Sequence, residues 1–109
     1  MLKCVTREDA LARLGRALAD PTRCRILVAL LDGTCYPARL AEQLELTRSN
    51  VSNHLACLRG CGLVVATYEG RQVRYALADA HLARALRELV QVVLAVETEE
   101  PCDPVEEGP

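Results

Sequence analysis

Apolar residues recur along this chain at helical spacing, and in one stretch the rhythm shortens to that of strands. Leu11, Leu14 and Leu18 share one face of a helix predicted over residues 7–19. Asp20-Pro21 starts a second helix, because Asp caps a free helix start well and Pro suits the first helical position. It runs to about Leu31, buries Ile26, Leu27 and Leu30, and stops at Asp32-Gly33. Thr34-Cys35-Tyr36 is a candidate short strand. Pro37 opens a third helix through Leu44 with Leu40, Ala41 and Leu44 inward. Glu45-Leu46 forms a tight turn, Thr47 caps a fourth helix over residues 48–60, and Gly62 lets the chain leave it in a left-handed conformation. Residues 63–68 and 72–77 are short and rich in Val and Tyr, which predicts two strands with Glu69-Gly70-Arg71 at the hairpin tip. Asp79 then caps a last helix to about Val96, whose stripe is Leu82, Leu86, Leu89 and Val93, widened by Val90 and Leu94.

Two helices across a tight turn, followed by a β-hairpin, make a winged helix-turn-helix: mainly α with a β-hairpin wing. Residues 1–96 read as this domain and residues 97–109 as an acidic, mobile tail. The last helix and the Leu11/Leu14/Leu18 face offer more apolar surface than one small domain covers, which points to a two-fold homodimer. A chain of 109 residues with no Trp and no Phe must build its core from Leu, Val, Ala and Ile, and association stabilises such small cores. The alternatives are that the stripe completes a monomer core, or that the chain is only a dimerisation module.

The net charge of −2 argues at first against a nucleic-acid partner, but its distribution reverses that. Six acids and no base lie in residues 97–109, so the rest of the chain carries an excess of four positive charges. From Thr47 to Tyr75 there are four arginines and one acid, Glu69. A basic body with an acidic tail is compatible with DNA binding. Stepping about 100° per residue along the fourth helix turns Val51, Leu55 and Leu58 inward and Ser49, Ser52, Asn53 and Ala56 outward. That outer face is small and polar, suited to a major groove. Arg48 at the helix start, with Arg71 and Arg74 on the hairpin, is placed to meet phosphate or minor groove. No signal peptide and no span of about 20 apolar residues is visible, so the expected compartment is the cytoplasm, with no membrane partner.

Six cysteines in a reducing compartment point to metal or redox chemistry rather than a disulfide scaffold. Cys57 and Cys61, four apart, share a helix face and can grip one soft ion, and Cys102 in the tail can complete a trigonal site. Three thiolates favour Cd(II) or Pb(II). Zn(II) is possible but prefers four ligands; no fourth is obvious, though Cys4 could supply one if the N-terminus folds over. The competing possibilities are that Cys57 is a small buried apolar residue and Cys61 a helix-end residue, or that the pair is a thiol redox sensor. Cys24 and Cys35 read as packing residues, and His54 as a phosphate or packing residue. No acid clearly orients His54 and there is no phosphate loop, so neither an enzyme nor a small-molecule substrate is expected.

The runs ALADPTRCRILVALL, LTRSNVSNHLACLRGCGLV and EGRQVRYAL resemble the ArsR/SmtB family of winged-helix metalloregulators over roughly residues 8–96. The resemblance implies a homodimeric repressor that binds a palindromic double-stranded operator and releases it on binding metal. It places Ser49, Ser52, Asn53, His54 and Arg71 toward DNA. One sensor site of the family uses Cys-x-Cys at the third helix, where this chain has Tyr36-Pro37-Ala38. Another needs Asp-x-His and two further ligands on the last helix. Asp79 and His81 match its first half, but Val92 and Ala95 stand in its second. Cys57, Cys61 and Cys102 match the cadmium- and lead-sensing branch, in which the tail cysteine comes from the opposite subunit.

Overall fold

In the computed structural model, residues 6–92 are described. Four helices come first: α1 (Arg7–Leu18), α2 (Pro21–Leu31), α3 (Pro37–Leu44) and α4 (Arg48–Gly60). A hairpin of β1 (Val64–Glu69) and β2 (Gln72–Leu77) follows, then α5 (Ala80–Leu89). The architecture is a winged helix-turn-helix, as the sequence pattern predicts.

Local chemistry sets most of the boundaries. Thr6, Asp20, Thr47 and Asp79 each accept a backbone N–H of the following first turn, at 3.0, 2.8, 3.1 and 2.8 Å. The tight turn between α3 and α4 is made by Glu45 at φ 58°, while the Leu46 N–H reaches back to the Ala41 carbonyl at 2.9 Å. That is the usual way to close a helix with a left-handed residue, here without the glycine that makes it easy. Gly62 does the same after α4 at φ 82°, and the Leu63 N–H returns to the Leu58 carbonyl at 3.0 Å.

The core joins α2, α3, α4 and the wing. Ile26, Leu40, Val51 and Leu58 are fully buried, with Leu27, Leu30, Leu55 and Val64 beside them, and no polar side chain is buried among the described residues. α2 runs through the centre and touches every other helix. The strands pair antiparallel from Val64↔Leu77 to Glu69↔Gln72. Glu69 is thus a strand residue and the tip is only Gly70-Arg71, with Gly70 supplying the positive φ of 63°. The Thr34–Tyr36 segment contributes a single bridge, Cys35 to Tyr75, with hydrogen bonds of 3.0 and 2.8 Å.

One boundary differs clearly from expectation. The last helix does not run to Val96: α5 ends at Leu89, and the Gln91 and Val92 N–H groups form tighter three-residue turns onto Glu88 and Leu89. The run Val90-Gln91-Val92-Val93 is rich in β-branched residues, which lose side-chain freedom in a helix. Val90 and Val92 are also more than half exposed, so within a single chain little packing offsets that loss. Val93, Leu94 and the tail lie outside the described residues.

Candidate DNA interface and thiol pair

α4 divides into faces as its periodicity requires. Val51, Leu55 and Leu58 are sealed in the core, and Ser49, Ser52, Asn53 and Ala56 are exposed on the other side. Arg48 stands exposed at the helix start, beyond the Thr47 cap, and Arg71 is exposed at the hairpin tip. The outer face of α4 is thus polar, with an exposed arginine at its start and another at the wing tip.

Two predicted DNA contacts sit differently from the rest. His54 is half-buried and turned to the N-cap of α2, with Nδ1 4.0 Å from Asp20 Oδ2. It links α4 to α2 and stands apart from the Ser49/Ser52/Asn53 face. Asp20 has its carboxyl held below the usual carboxylate range, mainly because the Thr22 N–H donates to it, with Arg23 and His54 adding smaller attraction. Arg74 is ion-paired: its Nη2 lies 2.7 Å from Glu69 Oε2. The other oxygen of Glu69 accepts the Tyr36 hydroxyl at 2.8 Å, which raises the tyrosine's pKa. Arg59 closes the opposite side of the wing, its guanidinium 6.0 Å from the Tyr68 ring centre with a long 3.4 Å hydrogen bond to the hydroxyl.

Cys57 is exposed on the last turn of α4, and Cys61 caps the helix end, half-buried against the core. Both are free thiols. The guanidinium of Arg23 donates to Cys57 Sγ at 3.6 Å, and its other nitrogens donate to the Ala17 and Arg16 carbonyls, each at 3.0 Å. Cys24 donates its S–H to the Leu18 carbonyl at 3.1 Å, so it closes the end of α1 together with Arg23. Cys35 packs beside the core at its bridge. His81 is exposed. Among the described residues no three His, Cys, Asp or Glu side chains gather closely enough to hold an ion. Two soft thiols on adjacent turns supply two donors for a thiophilic metal, and a three-thiolate site needs one more, such as Cys102 or Cys4, which lie outside residues 6–92.

Arg23 and Tyr36 carry no sequence signal as site residues, and Glu69 only a faint one. Each acts on a partner more than 30 positions away. The lone acid within an arginine-bearing segment was the one available hint at Glu69.

Residues 20–65, from the cap of α2 into β1, match the model of bacterial regulatory proteins of the arsR family. The chain is 84% identical over 102 residues to the HTH-type transcriptional regulator CmtR of Mycobacterium tuberculosis, covering 94% of this chain and 86% of that protein. The chain belongs to the ArsR family. Its structure superposes on the NMR structure of the cadmium metal-sensor CMTR from Mycobacterium tuberculosis with a TM-score of 0.67 at 86% identity, covering 84% of this chain and 96% of the other. The homodimeric winged helix-turn-helix DNA-binding domain Mb0332 from Mycobacterium bovis matches with a TM-score of 0.71 at 33% identity, over 84% and 87% of the two chains. As an ArsR-family member the protein is a DNA-binding transcriptional regulator rather than an enzyme. No helix among the described residues is long and apolar enough to cross a membrane.

Proposed function

We propose that this regulator is a metal-responsive repressor. Its metal-free homodimer holds a palindromic operator and releases it when Cys57, Cys61 and Cys102 bind Cd(II) or Pb(II). The observation that carries the proposal is the position of two free thiols, one exposed, at the end of the helix whose outer face is Ser49, Ser52 and Asn53. The likeness to a cadmium sensor supports the choice of metal. Soft thiolates prefer Cd(II) and Pb(II) to Mg(II) or Ca(II), and Zn(II) would need a fourth donor such as Cys4.

In this reading residues 1–96 bind DNA and dimerise, while residues 97–109 deliver a ligand. Ser49, Ser52 and Asn53 meet base edges and phosphates, and Arg48 and Arg71 meet the backbone. His54 serves by holding α4 to Asp20. When bound, the ion supplies a cross-link between α4 and a tail that the family resemblance assigns to the opposite subunit. The chain then transmits the pull. Arg23 ties Cys57 to the end of α1, and His54 ties α4 to the start of α2, so a shift at the thiols reaches the helix junction beneath the apolar face. A negative linkage of about 1–3 kcal/mol between metal and operator is enough to change DNA affinity roughly 5–150-fold.

The second copy is supported by what α1, α2 and α5 leave uncovered. Leu11, Val28, Leu89 and Val90 are exposed. A 130 Å³ apolar groove lined by Leu18, Leu27, Leu31, Leu86 and Leu89 lies between these helices.

The test is a Cd(II) titration of full-length protein on a fluorescent duplex that the metal-free wild type has selected from a random pool. Anisotropy reports release and ultraviolet absorbance reports sulfur-to-metal bonding. Release by wild type, lost with serine at 57, 61 or 102, is expected. A wild type that stays on DNA at saturating Cd(II) defeats the repressor reading, and release that survives all three substitutions removes these thiols from it. Release of chelator-treated protein by oxidant alone would replace metal with thiol oxidation as the signal.

A further inference from the structure

Glu69 is the one acidic side chain between Thr47 and Tyr75, a stretch that contains all of α4 and nearly all of the wing. Beside a DNA backbone an unpaired carboxylate is repelled. Here neither oxygen is unpaired: Oε1 accepts the Tyr36 hydroxyl at 2.8 Å and Oε2 holds Arg74 Nη2 at 2.7 Å. Tyr36 is the residue on which α3 begins. One carboxylate thus fastens the hairpin to the helix-turn-helix and occupies a wing arginine. The pair lies at the surface, with side chains 34% and 39% exposed, within reach of a polyanion. Arg71, three residues earlier in β2's approach, has no such partner among the described residues.

We propose that Glu69 is a charge-masking and positioning residue of the wing. It keeps Arg74 in a neutral pair, so that Arg74 adds no phosphate contact, and it uses Tyr36 to fix the hairpin against α3. The inference rests on the proposed DNA interface, in which the wing lies along the backbone. Exchange of Arg74 from Glu69 to a phosphate would leave a carboxylate, still pinned by Tyr36, facing the polyanion alone. The pair therefore persists on DNA, and the wing's electrostatic grip comes from Arg71.

Counterion release makes this measurable. Each arginine that engages a phosphate steepens the dependence of log K on log salt by about 0.9. The experiment measures binding of the full-length, metal-free protein to a short mixed-sequence duplex across a salt series by anisotropy. Glu69→Gln keeps an acceptor for Tyr36 and liberates Arg74. The slope should steepen by about 0.9 per engaged wing, or about 1.8 for a dimer using both, with affinity at 0.1 M salt rising by up to about 60-fold. The double variant Glu69→Gln/Arg74→Gln should return to the wild-type slope. An unchanged slope in Glu69→Gln overturns the masking. So does a double variant shallower than wild type, because Arg74 would then already sit on phosphate. Tyr36→Phe should weaken binding equally at every salt concentration with the slope unchanged, and unaltered affinity overturns the anchoring. Arg71→Ala is the control for the underlying interface: unchanged slopes in both Arg71→Ala and Glu69→Gln mean that the wing does not meet DNA, whereas a flattened slope in Arg71→Ala with none steepened in Glu69→Gln overturns the masking alone. Thermal melts by circular dichroism should show each surface variant folded.

Discussion

Arg23 joins three helices through one planar group. Its Nε and Nη2 take the last carbonyls of α1 while Nη1 reaches Cys57 on α4, a fork that a lysine cannot reproduce. Cys57 was legible as a candidate because its partner Cys61 sits four residues on. Arg23 was not, because its partners are set by helix crossing rather than spacing. Asp20 shows the same limit. Its cap role follows from the Asp-Pro pair, whereas its approach to His54 does not. Its carboxyl is held below the ordinary value of 3.8 chiefly by the Thr22 N–H, so the charged form favours the folded state. That contribution is present above the unfolded value and is lost as pH falls through the lower folded value. Asp20→Asn keeps a good cap without the charge. In urea unfolding at pH 5 and pH 3, the variant should lose less stability on acidification than wild type. Equal losses would show that the charge of Asp20 does not matter.

At the scale of elements, the turn between α3 and α4 is the strained one. Glu45 occupies a left-handed conformation that β-carbon sterics disfavour. Glu45→Gly should stabilise the fold by about 0.5–1 kcal/mol, the gain in backbone fit being partly offset by glycine's greater freedom when unfolded. Chemical denaturation checks this, and a destabilised variant would mean that the Glu45 side chain makes a contribution larger than the strain. Helix starts were readable because Thr47, Asp20 and Asp79 are good caps in the right places. The end of α5 was not, because Val90, Val93 and Leu94 continue the apolar stripe whether or not the backbone stays helical. The wing was readable from its Val and Tyr content, and the Thr34–Tyr36 segment from its short β-prone run, although only Cys35 pairs and its partner Tyr75 could not be read from spacing.

For the molecule as a whole, the described residues expose the polar face of α4, proposed to read DNA, and leave leucine and valine of α1, α2 and α5 uncovered. Leu89, 47% exposed at the end of α5, lies on the rim of the apolar groove. Leu89→Glu should shift the protein toward monomer in sedimentation experiments and weaken operator binding. Each dimer would lose the burial of two half-exposed leucines, about 1.5–3 kcal/mol. A dimer of undiminished strength would place the interface elsewhere. The winged architecture was readable from sequence because each local signal agrees with the others. The proposed thiol site is legible in the sequence only as a set of residues, since the third cysteine proposed for it, Cys102, is separated from α4 by more than forty positions. With no tryptophan, ultraviolet emission comes from three tyrosines. All three belong to the wing or touch it: Tyr36 through Glu69, Tyr68 beneath Arg59, and Tyr75 at the Cys35 bridge. The hairpin therefore carries its own lamp, and unlabelled protein reports optically on that element while every helix stays dark.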